Sequence, residues 1–329
     1  MAKTVKERAR KPKSVNAAQG LIDALKFVSA AQKKNDHIFQ KYVVMQDKTL
    51  IATDGTLAIG TRIEEEINAC PRSDMLLAAL SKVGERFSLT VEDEQLCIVS
   101  GDFTAHIPCI PLEQIPVTFT SPNMMPLDDS LKAAFSAVMD IAKEGAPHIM
   151  TASLMLRDNT VVAANNEMIK EYWHGFRFPM VFIVPKLAAQ CVAKTNKTLV
   201  GVGGSTDSLT FWFSDQSFIQ TTLMPNEWND VDTMLNQPTN ALPLPSNFWQ
   251  AINSIVDFGE SNLVLFHDDC VTTESGKARF EIEGLQGGQK FDGKLLKSAS
   301  AHIKRIDCRT HKNRLYFFGE KLRGLLGGH

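Results

Sequence analysis

The sequence of 329 residues lacks the short motifs that identify most enzymes. It has no Walker-type GxxxxGK[ST], no HExxH, no CxxC pair and no GxSxG elbow. It also lacks a strong charge of either sign, because 35 basic and 37 acidic residues give a formal net charge of −2. These absences predict a protein that is not an enzyme and has no cofactor or metal. They also argue against a surface that is basic on every side.

Cysteine is scarce, and no stretch is long and apolar enough for a transmembrane helix. The cysteines are far apart and lie mostly within strand or helix patterns, which favours buried, reduced thiols over a disulfide framework. They are Cys70, Cys97, Cys109, Cys191, Cys270 and Cys308. The N-terminus has no apolar signal-peptide core. We therefore expect a cytoplasmic protein without a membrane partner.

A helix followed by an antiparallel hairpin recurs six times along the chain. In residues 72–116, apolar residues at helical spacing precede strands in which apolar and polar residues alternate. Each copy has a small alanine in its helix, and the first four of these alanines are 55 residues apart. They are Ala24, Ala79, Ala134, Ala189, Ala251 and Ala299. The polar turns that follow are residues 46–49, 92–95, 157–160, 205–208, 267–270 and 310–313. Chance self-similarity is the alternative explanation.

The repeat predicts an α+β fold of three domains, each made of two helix-plus-antiparallel-hairpin units. Proline-rich linkers at residues 112–126 and 235–245 separate the pairs of units. The predicted domains are residues 15–116, 127–234 and 246–329. Residues 1–14 carry six Lys or Arg and no apolar periodicity, which predicts a flexible basic arm.

Three clusters contain residue types that often form binding or catalytic sites, but their positions favour structural roles. The glycines of residues 201–204 precede a turn and a strand, whereas a phosphate-binding loop would precede a helix N-terminus. His267, Asp268 and Asp269 fall where the other repeats have plain polar turns. The glutamates of residues 64–66 fit a solvated strand end.

Positive charge is concentrated in the predicted helices, which hold 14 basic and 8 acidic residues, a difference of +6. These helices are residues 19–34, 73–86, 127–144, 185–197, 246–257 and 293–306. If they share one side of the sheets, that side suits phosphates without reading base sequence. The alternative is that lysine is simply a favourable helix residue.

Short signatures occur in a fixed order along the chain. Residues 50–54 (LIATD) end in a Thr-Asp pair that also ends a strand in a known protein family. Residues 161–169 (VVAANNEMI) lie where that family usually has an Ala-Thr-Asp-Gly-His-Arg-Leu run. Residues 224–228 (MPNEW) resemble its Phe-Pro-Asp-Tyr segment. The other matching segments are residues 103–116, 291–303 and 315–318. Through the order and spacing of these segments, the chain resembles the bacterial DNA polymerase III β subunit family, the sliding clamps, over nearly its full length.

The resemblance implies a ring-forming DNA-clamp fold and a processivity factor for DNA replication that needs no catalytic group. Clamps of this family pair two three-domain chains head to tail, with helices lining the channel and sheets forming the outer wall. The other well-known clamp, proliferating-cell nuclear antigen, has two domains per chain and closes as a trimer. The implied partners are a second copy of this chain, sequence-independent double-stranded DNA, a DNA polymerase and a clamp loader.

Basic residues in or near the predicted helices are the candidates for DNA contact. Lys33 and Lys34 fall where the family has a DNA-contacting loop. The full set is Lys26, Lys33, Lys34, Lys82, Arg86, Lys186, Lys194, Lys197, Lys297, Lys304 and Arg305. A merely solvated side chain is the alternative for each of them.

The resemblance also implies an apolar pocket between the second and third domains that binds short linear peptides of the polymerase and loader. By motif position it is lined by Met150, Ala164, Met168, Ile169, Pro225, Trp228, Leu325 and Leu326. Alternatively, these residues only pack the domain junction.

The sequence departs from the family at this pocket. The usual Gly-His-Arg is replaced by residues 166–168 (NEM), and the usual Met-Pro-Met-Arg C-terminus by residues 327–329 (GGH). We therefore expect a pocket shaped for a different peptide. This divergence and the short chain suggest the hypothesis of a phage or prophage clamp.

Two other functions stay open at this point. A clamp-fold scaffold or peptide-binding protein that does not close into a ring would be a monomer in solution. An enzyme with an unrecognised site would reveal itself by a ligand or metal bound in a cleft.

Overall fold

The structure is a computed structural model that describes residues 17–32, 36–116, 120–121, 125–259 and 261–329. The chain forms two compact units. The first consists of Met1–Phe119 with Asp215–Ile219, and the second of Thr120–Ser214 with Gln220–His329. The predicted basic arm, residues 1–14, lies outside the described residues.

In the described residues, the first unit contains two α-helices and two groups of antiparallel strands. Its elements are α1 (Gln19–Val28), β1 (Val44–Gln46), β2 (Thr49–Thr53), β3 (Leu57–Arg62), α2 (Ser73–Leu80), β4 (Ser88–Glu92), β5 (Gln95–Ser100) and β6 (Phe103–Pro108). β2 pairs with β1 and β3, while β5 pairs with β4 and β6. Short 3₁₀ helices occupy Ser29–Ala31, Ile38–Lys41 and Leu112–Gln114.

The second unit repeats this pattern twice over. Its first half contains β7 (Met125–Pro126), α3 (Ser130–Val138), α4 (Ile149–Ala152), β8 (Ser153–Arg157), β9 (Thr160–Ala164), β10 (Met168–Trp173), β11 (Phe182–Pro185), α5 (Lys186–Lys194), β12 (Leu199–Gly204), β13 (Ser208–Phe213) and β14 (Phe218–Thr222), whose first residues group with the first unit. Its second half contains α6 (Asp232–Leu235), β15 (Leu242–Pro243), α7 (Phe248–Val256), β16 (Leu263–His267), β17 (Cys270–Thr273), β18 (Arg279–Glu281), β19 (Gln289–Asp292), α8 (Gly293–Ser298), β20 (Arg305–Asp307), β21 (Arg314–Phe318) and β22 (Leu322–Gly327). No helix in the described ranges could span a bilayer.

One eight-stranded sheet runs through both halves of the second unit, in the order β11-β8-β9-β10-β22-β21-β20-β15. At its centre β10 pairs antiparallel with β22, so that Met168 faces Leu326 and Ile169 faces Leu325. A separate sheet has the order β18-β17-β16-β19. Because β10 and β22 come from different predicted domains, the three-domain division stays a prediction.

The predicted α+β class and its helix-plus-hairpin units are confirmed. All six anchor alanines are buried, from Ala24 in α1 to Ala299 directly after α8. All six predicted turns lie between consecutive paired strands. Several turn residues have positive φ, a conformation that Asp and Asn tolerate better than most residues. They include Asp47, Asp93, Asp158, Asp269 and Asn313.

The predicted helices were too long at their C-terminal ends. The third ends at Val138 and not at residue 144, and the last ends at Ser298 and not at residue 306. Residues 305–307 belong instead to β20, where Arg305 pairs with Phe318. The Lys304 amide also donates to the Phe318 carbonyl at 2.8 Å, which commits its backbone to the sheet.

Candidate peptide site and helix-side residues

An apolar cluster covers one face of the eight-stranded sheet. Across the strands Ala164 faces Ile169, and Leu325 faces both Ile169 and Tyr316. Since directly opposed residues share a face, their side chains pack together. The buried members are Met155, Val162, Ala164, Ile169, Ile183, Val231, Leu235, Tyr316 and Leu325. The partly buried members are Ile149, Met150, Met224, Trp228, Met234 and Phe318. We call these residues the apolar cluster.

The structure brings together five of the eight predicted pocket residues. They are Met150, Ala164, Ile169, Trp228 and Leu325. Met168 and Leu326 are fully buried and face each other, one residue away from Ile169 and Leu325. Successive strand residues point to opposite faces, so these two lie on the other side of the sheet. Pro225 is exposed and lies outside the apolar cluster.

The chain segment after β14 forms one wall of the apolar cluster. Val231, directly before α6, and Leu235, at its end, are buried in it. The Trp228 indole donates to Ser153 Oγ at 3.1 Å, and the Tyr316 hydroxyl donates to the Met234 carbonyl at 3.0 Å. Sequence reasoning missed Val231 and Leu235, because this segment has no strand or helix periodicity. Tyr316 and Phe318 stand two residues apart on β21, and this spacing could have placed them on one face of the sheet.

A network of ion pairs borders the apolar cluster on the same face. Arg157 donates to both oxygens of Asp232, at 2.6 and 2.8 Å, and to Glu171 at 2.8 Å. Arg323 donates to the other oxygen of Glu171 at 2.7 Å, and its guanidinium lies 5.3 Å from the centroid of the Trp173 ring. The hydrogen bond from Arg157 holds the pKa of the Asp232 carboxyl below its ordinary value. The charges of Arg157 and Arg323 are therefore satisfied within the protein.

On the opposite face of the sheet, β10 carries a buried lysine. The Lys170 side chain is 0% exposed, and its Nζ donates to both oxygens of Asp140 at 2.8 Å and to Ser298 Oγ at 2.9 Å. Burial lowers the pKa of Lys170, and the neighbouring Asp140 opposes this effect. Asp140 follows α3 and Ser298 ends α8, so Lys170 ties the ends of two helices to β10.

The predicted DNA-contacting residues do not form one uniform set. Exposed side chains are found at Lys26, Lys82, Arg86 and Lys194. Lys186 and Lys297 are half-buried, and Lys186 donates a hydrogen bond to the Ala142 carbonyl. Lys197 is also half-buried. Lys33 and Lys34 lie outside the described residues.

Lys304 and Arg305 require a correction, because neither lies in a helix. Lys304 forms an ion pair with Glu320 at 3.5 Å. Arg305 shares a sheet face with Phe318, and its guanidinium lies 5.7 Å from the centroid of that ring. Phe318 packs against the apolar cluster. Arg305 therefore lies on the face of the apolar cluster and not on the helix side.

Within the described ranges, no group of three or more His, Cys, Asp or Glu side chains could hold a metal ion. His267, Asp268 and Asp269 lie at the β16–β17 turn, where Asp268 and Asp269 accept hydrogen bonds from the backbone amides of Gly287 and Gly284. That arrangement agrees with the structural role expected from the sequence.

Comparison with known proteins gives a consistent result for the fold. No protein-family model matches the sequence, and no curated protein matches it. Among solved structures, the DNA polymerase III subunit beta of Pseudomonas aeruginosa superposes with a TM-score of 0.80 at 11% identity, over 94% of this chain and 98% of that one. The sliding clamp of Bacillus subtilis superposes with a TM-score of 0.79 at 12% identity, over 95% of this chain and 97% of that one. Caulobacter crescentus pol III beta superposes with a TM-score of 0.79 at 14% identity, over 94% of this chain and 98% of that one.

These values establish that the chain has the sliding-clamp fold. The predicted likeness to sliding clamps is thus confirmed at the level of the fold.

The Lys170 ion pair leads to a stability prediction. We expect Asp140→Asn to lower the free energy of unfolding by about 3 kcal/mol, because it leaves a buried ammonium group without its counter-charge. Lys170→Met replaces the charge with an apolar chain and should change stability by less than about 1 kcal/mol. Urea unfolding measures both. Asp257→Asn, at an exposed position just after α7, is the control. Equal losses in both test variants would contradict this account.

The Asp232 carboxylate should make stability depend on pH. Its folded-state pKa lies below the unfolded value of about 3.9, so its contribution is fully present above that value and is lost as pH falls through the folded pKa. We expect the urea midpoints of the wild type and Asp232→Asn to differ at pH 7 and to converge as the pH falls below about 4 and through the folded-state pKa. Glu227→Gln, in the same segment and exposed, serves as control. A gap that is constant with pH would refute the prediction.

Proposed function

We propose that this protein is a DNA sliding clamp, in which two chains pair head to tail around double-stranded DNA and tether a replicative DNA polymerase. The clamp fold over 94% of the chain, together with two open sheet edges, is the observation that supports this function best. Encircling DNA needs no catalytic group, which agrees with the absence of enzyme motifs. The expected location is the cytoplasm. A phage or prophage origin stays a hypothesis.

The pairing of β10 with β22 supplies a rule for how repeats join. Each is the third strand of its own helix-plus-hairpin unit, and the two pair antiparallel. Two other third strands are sheet edges within the described ranges. β6 ends the order β4-β5-β6, and β18 ends the order β18-β17-β16-β19. An edge strand has unpaired backbone N–H and C=O groups, which can form hydrogen bonds with a strand of another chain. By the same rule, β6 of one chain pairs with β18 of a second copy.

An exposed aromatic residue supports the same contact. Phe258 is 73% exposed and lies two residues after α7, just as Asp140 lies two residues after α3. Asp140 reaches Lys170 at the junction of β10 and β22. By equivalence Phe258 lies at the junction of β18 with the partner chain. Its burial there would remove a large apolar side chain from water.

Two such junctions close a ring of two chains, and the helices would face its channel. Exposed or half-buried basic side chains on or near the helices suit contacts with phosphates, which are electrostatic and independent of sequence. Lys26, Lys82, Arg86, Lys194 and Lys297 are the candidates that the described geometry leaves available.

The apolar cluster is the proposed attachment site for linear peptides of the polymerase and the clamp loader. Met150, Trp228 and Phe318 are partly buried members that a peptide can reach. The alternative function, a clamp-fold scaffold or peptide-binding protein that never closes into a ring, differs in its solution mass.

Light scattering tests the ring. We expect a mass near twice 36.4 kDa for the wild type and near 36.4 kDa for Phe258→Asp, because a carboxylate would be buried at the interface. Met180→Asp, which alters another exposed apolar side chain, should remain a dimer. A monomeric wild type would favour the scaffold, whereas a dimeric Phe258→Asp would contradict only the place given to Phe258.

Duplex binding tests the DNA-binding residues. We expect the triple variant Lys26→Gln, Lys194→Gln, Lys297→Gln to bind a labelled duplex about tenfold more weakly at low salt, with the salt slope reduced by about 0.9 for each phosphate that is no longer neutralised. Fluorescence anisotropy across a salt series measures both quantities. The matched control neutralises Lys41, Lys312 and Lys321, which are exposed but lie outside the α-helices. The same weakening in the control would contradict a basic helix side.

A further inference from the structure

The first unit contains an apolar groove that neither the DNA-binding residues nor the apolar cluster uses. Its volume is about 390 Å³, within the range of ligand-binding pockets. Met45, Cys70 and Cys109 are among the residues that line it. Val91 and Leu112 also line it and are 44% and 42% exposed, which is unusual for large apolar side chains.

The backbone around the groove is already paired. Met45 and Ala69 exchange amide-to-carbonyl hydrogen bonds of 2.8 and 3.0 Å. The Cys109 amide donates to the Glu94 carbonyl at 2.9 Å, and the Ile110 amide donates to the Cys70 carbonyl at 3.1 Å. An added strand would find no free partners at these positions. At these positions, recognition of a ligand therefore falls to side chains.

One carboxylate lines the apolar surface, and three others lie next to lining residues in the sequence. Glu94 lines the groove, and Glu113 directly follows Leu112. Glu92 and Asp93 precede Glu94 and are exposed. Burial chiefly, with contributions from Cys109 and from the Glu113 charge, raises the pKa of the Cys70 thiol to about 11.

These carboxylates have no cationic partner in the part of the chain that the structure describes. Neither Glu94 nor Glu113 forms an ion pair with a described Lys or Arg. An anionic ligand would be repelled, and a neutral apolar ligand would leave the charges unused. A ligand with apolar groups next to a positive charge matches both features.

We propose that this groove binds a segment of a partner protein that carries one or two large apolar side chains followed by lysine or arginine. The apolar side chains would enter between Val91 and Leu112, and the cationic ones would meet Glu94 and Glu113. This site is independent of the proposed clamp function.

Two synthetic peptides are the probes, acetyl-Gly-Ser-Leu-Phe-Lys-Lys-Ser-Gly-amide and the same peptide with two glutamines in place of the lysines. Titration calorimetry with the full chain should give about tenfold tighter binding of the lysine peptide at low salt, which falls to less than about threefold at 0.5 M salt. As a second readout, the lysine peptide should slow alkylation of Cys109 by iodoacetamide, followed by mass spectrometry. Cys191, a half-buried thiol of the second unit, reports any general effect.

Substitutions separate the two parts of the site. Glu94→Gln with Glu113→Gln should abolish the preference for the lysine peptide and leave binding of the glutamine peptide unchanged. Leu112→Ser should weaken both peptides by a similar factor. Asp102→Asn is the control, because it also removes one negative charge but lies outside the groove, at the exposed β5–β6 turn. It should have no effect on the binding of either peptide.

Several outcomes would overturn the proposal. Equal binding of the two peptides would make the groove a purely apolar site, and binding of neither would remove it. Protection of Cys109 that grows with protein concentration and without peptide would assign the groove to a second copy of the chain. None of these results would alter the solution mass or the duplex binding on which the proposed function depends.

Discussion

The antiparallel pairing of β10 with β22 is the interaction on which the second unit depends. It satisfies the backbone groups of two strands that are far apart in the sequence and makes one sheet from two sets of repeats. Because side chains alternate along each strand, the same ladder creates two chemically different faces. Ile169 and Leu325 join the apolar cluster, while Lys170, next to Ile169 on β10, reaches the helix ends on the other side.

Buried charges next to this ladder have a structural logic. Lys170 and Glu171 are consecutive, and each is neutralised on its own face, by Asp140 and by Arg157 with Arg323. A register slip of one residue would turn Lys170 into the apolar cluster and Glu171 toward Asp140. Such ion pairs contribute little net stability compared with apolar side chains of similar size. A slipped register would leave these charges buried without their partners, which is costly.

The surfaces proposed for partners differ in how their charges are balanced. Beside the apolar cluster, Arg157 and Arg323 are held by carboxylates of the same chain, so a peptide there would be selected mainly by shape. At the groove of the first unit, Glu94 in the lining and Glu113 next to Leu112 lack such partners among the described residues, so charge would select the proposed ligand. At the open edges β6 and β18, backbone groups would pair with the second chain. The three proposed surfaces would thus use three kinds of recognition.

The sequence alone determined the features that depend on neighbouring residues. Periods of 3.6 and 2.0 and polar turns predicted the repeated helix-plus-hairpin unit, and the anchor alanines are buried as that pattern requires. Helix ends were less predictable, since the pattern of residues 299–306 is helical although Arg305 is a strand partner of β21. Only the tertiary structure decided which face each strand residue takes. Met168 and Leu326 lie opposite the apolar cluster because the β10–β22 register, which joins distant segments, sets their direction. Val231 and Leu235 enter that cluster from a segment without periodicity, so their place depends on packing that no local pattern records.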